Sequence, residues 1–251
     1  MVSFRLEIIG IEHIPEVHYG DNVAALIVEA CRQEKVSLSS GDILVVAHKI
    51  VSKSEGRIVL LSEVTPSPFA HTVAKQTGKD PRAVEVVLRE CRRIVRMDHG
   101  VLVVETHHGF ICANGGVDSS NVGPGRVALL PKDPDASAVQ IQRGLQELAG
   151  VQTAVIISDS FGRPWREGTV DVALGVAGLE PLIDYRGKED PFGYEMKASV
   201  AAVADELAGA GELVLGKTRK VPVALVRGFS TPGAEGKGSQ LIRSAAADIF
   251  R

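Results

Sequence analysis

The feature that most constrains the fold is a set of short apolar runs rich in valine, isoleucine and leucine, spread along the 251-residue chain. These runs are FRLEIIG, DILVVAHKIV, HGVLVVET, GFICAN, RVALLP, TAVIISD, ELVLG and VPVALVRG. Their length and β-branched content predict strands, and many lack the alternation of a half-exposed strand, so we expect burial on both faces. A hydrophobic content of 45% is ample for a large core.

Stretches with helical spacing lie between these runs. Several start at proline or after an aspartate or serine, and several are followed by glycine. The predicted helices are residues 22–34, 66–77, 81–92, 136–149, 194–208 and 237–249. Strands and helices do not alternate regularly, since ETHHGFICANGG is typical of a hairpin turn and 160–192 has no helical period. We therefore predict an α+β fold of mixed sheets with flanking helices, as one domain over 1–251 or two interlocked lobes.

Charge and cysteine content limit the class of protein. A formal net charge of −3 gives no global positive field, so we expect no binding to nucleic acid or to a membrane surface. The three cysteines, Cys31, Cys91 and Cys112, match no metal motif, which favours a reducing cytoplasm. No uncharged apolar run reaches about 18 residues, and acidic residues near the start disfavour a signal peptide. We expect a soluble, cytoplasmic protein with local anion sites.

Two segments combine a strand end with glycine and groups suited to phosphate or metal. In HKIVSKSEGR, Lys49 and Lys53 are four residues apart, so a helix after Ala47 would turn both ammoniums toward one phosphate chain. A solvated basic turn explains that segment equally well. In NGGVDSSN, Asp118 and Asn121 provide hard oxygen ligands, although a turn that uses these residues for local hydrogen bonds is the simpler alternative.

The segment SDSFGRPWREG is more specific. Asp159 lies at the polar end of TAVIIS, where carboxylates of α/β proteins commonly reach ligands, and it could hold Mg²⁺ or Mn²⁺ with Ser160. Arg163 and Arg166 could add bidentate contacts to an anion, as in phosphoryl transfer. Alternatively, these arginines form a structural network with the nearby acidic residues Asp171, Asp184 or Asp190. We expect Trp165 to be a packing residue.

The segment GKTRKVP places Gly216 and Lys217 between two predicted strands, where a loop could face phosphate. It lacks the GxxxxGK[ST] pattern of a P-loop, and the chain has no GxGxxG fingerprint. The histidines His13, His48 and His71 show no spacing that indicates a ligand set.

Taken together and in order, six stretches resemble the coenzyme F420:L-glutamate ligase (F420-0:gamma-glutamyl ligase) family. They are IPE, GDILVVAHKIVSKSEGR, ICANGGVDSSN, SDSFGRPWREGTVDVALG, DYRGKEDPFG and ADELAGAGELVLGKTRKVPVALVRG. The resemblance runs nearly end to end. It implies GTP-dependent addition of L-glutamate to the carboxylate of F420-0, and then to the growing γ-linked tail. It also implies a requirement for Mg²⁺ or Mn²⁺, assistance by K⁺, and an intertwined homodimer with an α+β fold.

The resemblance also assigns roles to individual residues. It implies that Asp118 and Asp159 are ligands of one metal ion and that Ser160, where threonine is commoner, is a hydroxyl ligand of a second. It further implies that Asn121 and Lys53 line the GTP site.

The loop around Gly216 matches another part of that GTP site, and here the chain departs from some relatives. They have an acidic metal ligand where Lys217 stands. Either the second metal is absent, or Lys217 takes over some of its charge by binding phosphate directly.

The implied chemistry suits the residues. A carboxylate must first become an acyl phosphate before an amine can attack it, and lysines and metal-bound carboxylates offset the phosphate charge. Lys49, Lys53, Arg163 and Arg166 are candidates for this task, and Arg186 is a candidate for holding substrate carboxylates or a phosphodiester. The chain has no evident nucleophile set, which fits catalysis by positioning and electrostatics.

Two alternatives remain at this stage. The same carboxylates would serve another metal-dependent phosphoryl-transfer enzyme, such as a small-molecule kinase or nucleotide hydrolase. Glycine-rich loops would also suit a nucleotide-binding module without turnover. Simple binding, however, requires neither acidic metal ligands nor a dense arginine loop.

Overall fold

The computed structural model describes residues 5–230 and 235–248. Its strands are β1 (Glu7–Ile11), β2 (Ile43–Ala47), β3 (Ile58–Leu60), β4 (Cys91–Asp98), β5 (Val101–Thr106), β6 (Ile111–Ala113), β7 (Arg126–Ala128), β8 (Ala154–Arg163), β9 (Arg166–Ala177), β10 (Ile183–Asp184), β11 (Val200–Ala201) and β12 (Val223–Arg227). Its helices are α1 (Val23–Glu34), α2 (His48–Ser54), α3 (Pro68–Thr77), α4 (Pro81–Arg89), α5 (Pro134–Ala149) and α6 (Val203–Leu215). The predicted α+β fold of mixed sheets with flanking helices is confirmed.

The largest sheet has five strands in the order β1-β12-β2-β8-β9. Strands β2 and β8 run parallel, with Ala47 opposite Ser158, and the other neighbours are antiparallel. Val223, at the start of β12, lies opposite Val46 near the end of β2. The carboxyl end of β2, the middle of β8 and the chain entering β12 therefore meet at one edge of the sheet.

Alternation along these strands divides the main core into two layers. Leu44 and Val46 of β2 face the cluster that contains α1 and α5. Ile43 and Val45 face the cluster that contains α6. Because successive strand side chains point to opposite faces, an uninterrupted apolar run is required where helices cover both sides. The predicted burial on both faces is confirmed for β2, the first half of β8 and β12, whereas β5 alternates between buried and more exposed residues.

Three smaller sheets complete the fold. Strands β4, β5 and β6 form an antiparallel meander, and α3 and α4 pack on it through a separate apolar cluster. The β5–β6 turn falls within ETHHGFICANGG, so the predicted hairpin is confirmed. Strand β3 pairs with β7, and β10 pairs with β11.

Helix ends follow the predicted start and stop residues. The side chains of Asn22, Ser67 and Asp133 each accept a hydrogen bond from a backbone amide in the first turn of α1, α3 and α5. Gly78 and Gly150 end α3 and α5 in the left-handed conformation, which glycine adopts without steric cost. These helices therefore begin and end close to the predicted positions.

Several predicted elements are wrong. The run ELVLG is the last part of α6 and the glycine that follows it, because Val214 and Leu215 continue the helical face that packs on the sheet. The helix predicted over 194–208 begins only at Val203. The helix predicted over 81–92 ends at Arg89, since β4 starts at Cys91.

The C-terminal segment also differs from its prediction as a helix over 237–249. It contains only two 3₁₀ turns, Gly238–Leu241 and Ala245–Ala247, and residue 249 lies outside the described residues. A Cβ on Gly238 would lie 2.5 Å from the backbone oxygen of Leu174 in β9. Such close backbone packing requires glycine at this position.

The region 160–192 is more regular than its composition indicates. Strand β8 continues to Arg163 and turns directly into β9, so Asp159 lies within a strand rather than at its end. Trp165 occupies this turn with a positive φ and is 82% exposed, so its prediction as a packing residue is wrong.

Two structural findings concern membrane-spanning helices and cysteines. Among residues 5–230 and 235–248, no helix is both long and apolar enough to cross a membrane. Cys31, Cys91 and Cys112 are free thiols.

Gly175 provides a test of how tightly α5 packs on β9. A Cβ there would lie 2.1 Å from the backbone oxygen of Pro134, whereas one on Gly162 would meet nothing within 4 Å. We expect Gly175→Ala to lower the free energy of unfolding by about 1–3 kcal/mol or more, because the added methyl group overpacks this contact. Gly162→Ala, the matched control, should stay within about 0.5 kcal/mol of the parent. Urea midpoints measure both, and equal midpoints would contradict the packing argument.

Candidate active site

A cavity of about 540 Å³ opens at the sheet edge where β2, β8 and the chain entering β12 meet. Its walls come from the loop at 14–17, the β2–α2 junction, β8, the end of α6 and the loop at 216–222. Most of the predicted site residues line it, namely Lys49, Lys53, Asn121, Asp159, Ser160, Gly216 and Lys217. The fold therefore brings together residues that are far apart in sequence.

Helix α2 supplies the two lysines. It begins at His48 with no turn after β2, so Lys49 and Lys53 lie one helical turn apart on the cavity side, as predicted for a coiled segment. Their side chains are only 19% and 13% exposed, which excludes the solvated basic turn. Lys49 Nζ lies 2.5 Å from Asp118 Oδ2, and Lys53 Nζ lies 2.5 Å from Glu16 Oε1.

Asp118 does not itself line the cavity, but it contacts Lys49, which does. A backbone bridge to Ala128 holds its main chain, and its carboxylate accepts hydrogen bonds from Lys49 and from the hydroxyl of Ser120. Burial opposes its ionisation, but the hydrogen bonds from Lys49 and Ser120 outweigh this and lower the pKa of Asp118 to about 2. Asp118 is thus an anion at any physiological pH.

Asp159 is one of four carboxylates that line the cavity, with Glu16, Asp171 and Glu212. Its Oδ1 accepts from the backbone amide of Ser160 at 2.8 Å and lies 3.3 Å from Nε2 of the buried His48. The imidazole approach is not aligned as a hydrogen bond, so we treat it as an electrostatic contact. Burial disfavours the carboxylate, but His48 and the Ser160 amide prevail, and the pKa of Asp159 is lowered.

A second polar cluster surrounds Ser160. Its hydroxyl donates to Asp171 Oδ1 at 2.5 Å, and Ser158 donates to Asp171 Oδ2 at 2.9 Å. The ammonium of Lys217 donates to Ser160 Oγ and lies 3.2 Å from Glu212 Oε1. Burial raises the pKa of Asp171 despite the two serine bonds. This cluster connects β8, β9 and α6 at the cavity wall.

Three functional candidates were missed by sequence reasoning. The sequence shows no second ligand residue at a fixed spacing from His48, and it presents Asp171 only as a possible partner of Arg163 and Arg166. Glu212 lay within a predicted strand. Only the β8–β9 register, which places Ser160 opposite Asp171, could have signalled one of them.

The predicted arginines lie away from the cavity. Arg163 and Arg166 are opposite each other at the end of the β8–β9 hairpin, and neither lines the cavity wall. Arg163 donates to the backbone oxygen of Glu167, and Arg186 forms a bidentate pair with Asp184 on the surface. Asp171 bonds to serines, so the alternative arginine network does not involve it.

The donor atoms suit Mg²⁺ or Mn²⁺ completed by a substrate. In the part of the chain that the structure describes, no group of three or more His, Cys, Asp or Glu side chains forms a metal cage. Mg²⁺ does not require one, because it commonly takes one or two carboxylates together with waters and phosphate oxygens. Asp118, Asp159 and Ser160 offer such hard oxygens beside two lysines that attract phosphate.

Lysines and carboxylates gathered around a cavity at the sheet edge of an α+β fold form a candidate active site. Residues 11–228 match the family model described as F420-0:Gamma-glutamyl ligase. The chain belongs to this family, and it is a ligase.

Relatives over nearly the full length support this assignment. The chain is 47% identical to the coenzyme F420:L-glutamate ligase of Methanothermobacter thermautotrophicus, over 98% of this chain and 99% of that protein. It is 45% identical to the protein of the same name from Methanopyrus kandleri, over 99% and 98% of the two chains. For that of Methanocaldococcus jannaschii the identity is 42%, over 98% and 97%.

Lys49 provides a test of the charge arrangement. We expect Lys49→Met to raise the pKa of Asp118 from about 2 toward its ordinary value of 3.8, because the ammonium that stabilises the carboxylate is lost. Carboxyl ¹³C shifts followed against pH measure this, with Asp118→Asn identifying the resonance. Lys53→Met is the matched control, since Lys53 contacts Glu16 instead. A rise of equal size in both variants would refute the specific pairing.

Proposed function

We propose that the protein is a GTP-dependent ligase that adds L-glutamate to the carboxylate of F420-0 and then to the growing γ-glutamyl tail. Family membership and the names of the relatives support the substrates. The structural observation that carries the proposal is the placement of Lys49 and Lys53 in one cavity with Asp159 and Ser160. A nucleoside triphosphate requires both the positive charge of the lysines and oxygen ligands for the divalent metal ion that accompanies it.

The proposed reaction has two steps. A carboxylate oxygen of F420-0 attacks the γ-phosphorus of GTP, the bond to the β-phosphate oxygen breaks, and GDP leaves. The amine of glutamate then attacks the acyl carbon and loses a proton, and phosphate departs with the former carboxylate oxygen. The protein's main tasks are to hold the reactants together and to offset the charge on the phosphates.

The roles of the side chains follow from their contacts. The ammoniums of Lys49 and Lys53 bind phosphate oxygens of GTP in place of Asp118 and Glu16. Asp118, Asp159 and Ser160 hold Mg²⁺ or Mn²⁺, which when bound neutralises phosphate charge, and K⁺ assists.

Other residues of the cavity wall also bind the nucleotide. Asn121, Gly216 and Lys217 line the nucleotide site. The Lys217 ammonium, which donates to Ser160 Oγ, supplies positive charge for the phosphates.

We further propose that the protein is a cytoplasmic, intertwined homodimer. The end of the β8–β9 hairpin and the segment 185–200 expose large apolar side chains, including Trp165 at 82%, Phe192 at 95% and Tyr194 at 62%. Large apolar side chains with this degree of exposure suit a surface that a partner covers.

The homodimer can be tested by sedimentation velocity. We expect the mass of two chains for the parent protein and a shift toward one chain for Phe192→Asp, because a charge replaces a buried apolar contact in the dimer. In a monomer the substitution is harmless, since Phe192 is almost fully exposed. A parent protein that sediments as a monomer at working concentration would contradict the proposal.

Mass spectrometry tests the activity directly. F420-0, L-glutamate, GTP and Mn²⁺ are incubated with the parent protein, and we expect one or more glutamyl increments with one GDP formed for each. Asp159→Asn should lower the rate at least roughly 100-fold, because it removes a charged ligand of the ion. Asp98→Asn is the matched control, since Asp98 pairs with Arg96 at the surface and should leave the rate unchanged.

Two further measurements separate the alternatives. F420-0 labelled with ¹⁸O in its carboxylate should pass one label to phosphate per amide formed, as the acyl phosphate requires. GDP released without any glutamyl increment would favour another phosphoryl-transfer enzyme, and intact GTP would favour a binding module.

A further inference from the structure

The buried carboxylate of Asp171 has no role in the reaction described above. It is 5% exposed, lies on β9 directly opposite Ser160, and accepts hydrogen bonds from two hydroxyls. Its backbone amide donates to Glu212 Oε2 at 3.1 Å. A buried carboxylate is unfavourable unless its oxygens accept hydrogen bonds, and both oxygens of Asp171 do so.

The bonds of Ser160 fix the direction of its hydroxyl. A serine hydroxyl has one hydrogen to donate and two lone pairs that accept. An ionised carboxylate only accepts, so the hydrogen of Ser160 points to Asp171. An ammonium only donates, so the contact with Lys217 uses a lone pair of Ser160 on the cavity side. Both partners therefore require the same orientation.

We propose that Asp171 is a positioning residue that holds the Ser160 hydroxyl with its hydrogen turned inward and its lone pairs toward the cavity. Ser160 is thereby an acceptor for cations, which are the Lys217 ammonium in the structure and a divalent ion in the proposed function. Without Asp171 the hydroxyl rotates, and its hydrogen can point at the cation. The inference rests on the proposed metal role of Ser160, but its test requires neither F420-0 nor glutamate.

Mn²⁺ alone is the probe, and its free concentration is measured by electron paramagnetic resonance. Asp171→Ala removes the acceptor, and we expect roughly tenfold weaker binding of Mn²⁺, the size usual for partners of metal ligands. Asp171→Asn retains an acceptor oxygen and should stay within about threefold of the parent. Ser158→Ala, the matched control, leaves the bond between Asp171 and Ser160 intact and should bind Mn²⁺ as the parent does.

A double-mutant cycle separates positioning from a general structural effect. If Asp171 acts through Ser160, then Asp171→Ala should weaken Mn²⁺ binding no further once Ser160→Ala is present. Asp171→Leu, with a similar shape and no acceptor, replaces the alanine variant if that one does not fold.

Three results would overturn the proposal. They are additive losses in the cycle, unchanged affinity in the variant without an acceptor, and a parent protein that binds no Mn²⁺. If the parent protein and the variants bind Mn²⁺ as expected but the parent protein does not ligate glutamate, the proposed function is rejected and this inference stands.

Discussion

The parallel pairing of β2 with β8 is the contact on which the site depends. It sets Ala47 beside Ser158, so the residues that follow each strand segment, His48 and Lys49 on one side and Asp159 and Ser160 on the other, lie side by side. The pairing is stabilised by apolar residues that face helices on both sides of the sheet. A one-residue slip would turn every side chain of β8 to the opposite face and would separate Asp159 from the cavity.

Charge compensation is the second principle of the site. Three lysines of the cavity each touch an anion or a hydroxyl: Lys49 contacts Asp118, Lys53 contacts Glu16, and Lys217 contacts Glu212 and Ser160. Such pairs keep lysines ordered and charged in a half-buried place, where an isolated ammonium would be costly. Phosphate oxygens can replace the carboxylates with little change in the local balance. The cavity is therefore arranged much as the proposed nucleotide would require.

Much of this could be predicted from the sequence, and the failures have physical causes. The spacing of Lys49 and Lys53 and the oxygen-rich segments at Asp118 and Asp159 carry local signals, because they depend on periodicity and residue chemistry. The roles of His48 and Asp171 depend on strand pairing, which single residues do not encode. The apolar run ELVLG was misassigned because a short run fits a buried helix as well as a strand. The requirement for glycine at position 238 depends on a close approach to the backbone of β9, which only the fold reveals.

The position of β12 has a consequence for how the chain acquires its shape. This strand, at residues 223–227, is inserted between β1 and β2, which lie far before it in the sequence. Until it emerges, β2 and β1 present unpaired edges that could associate with other chains. The central sheet can thus be completed only after residues 223–227 have left the ribosome, so its folding depends on contacts between distant parts of the chain. A nascent chain that stalls before this strand would carry Lys49 and Lys53 but would lack the completed sheet that supports them.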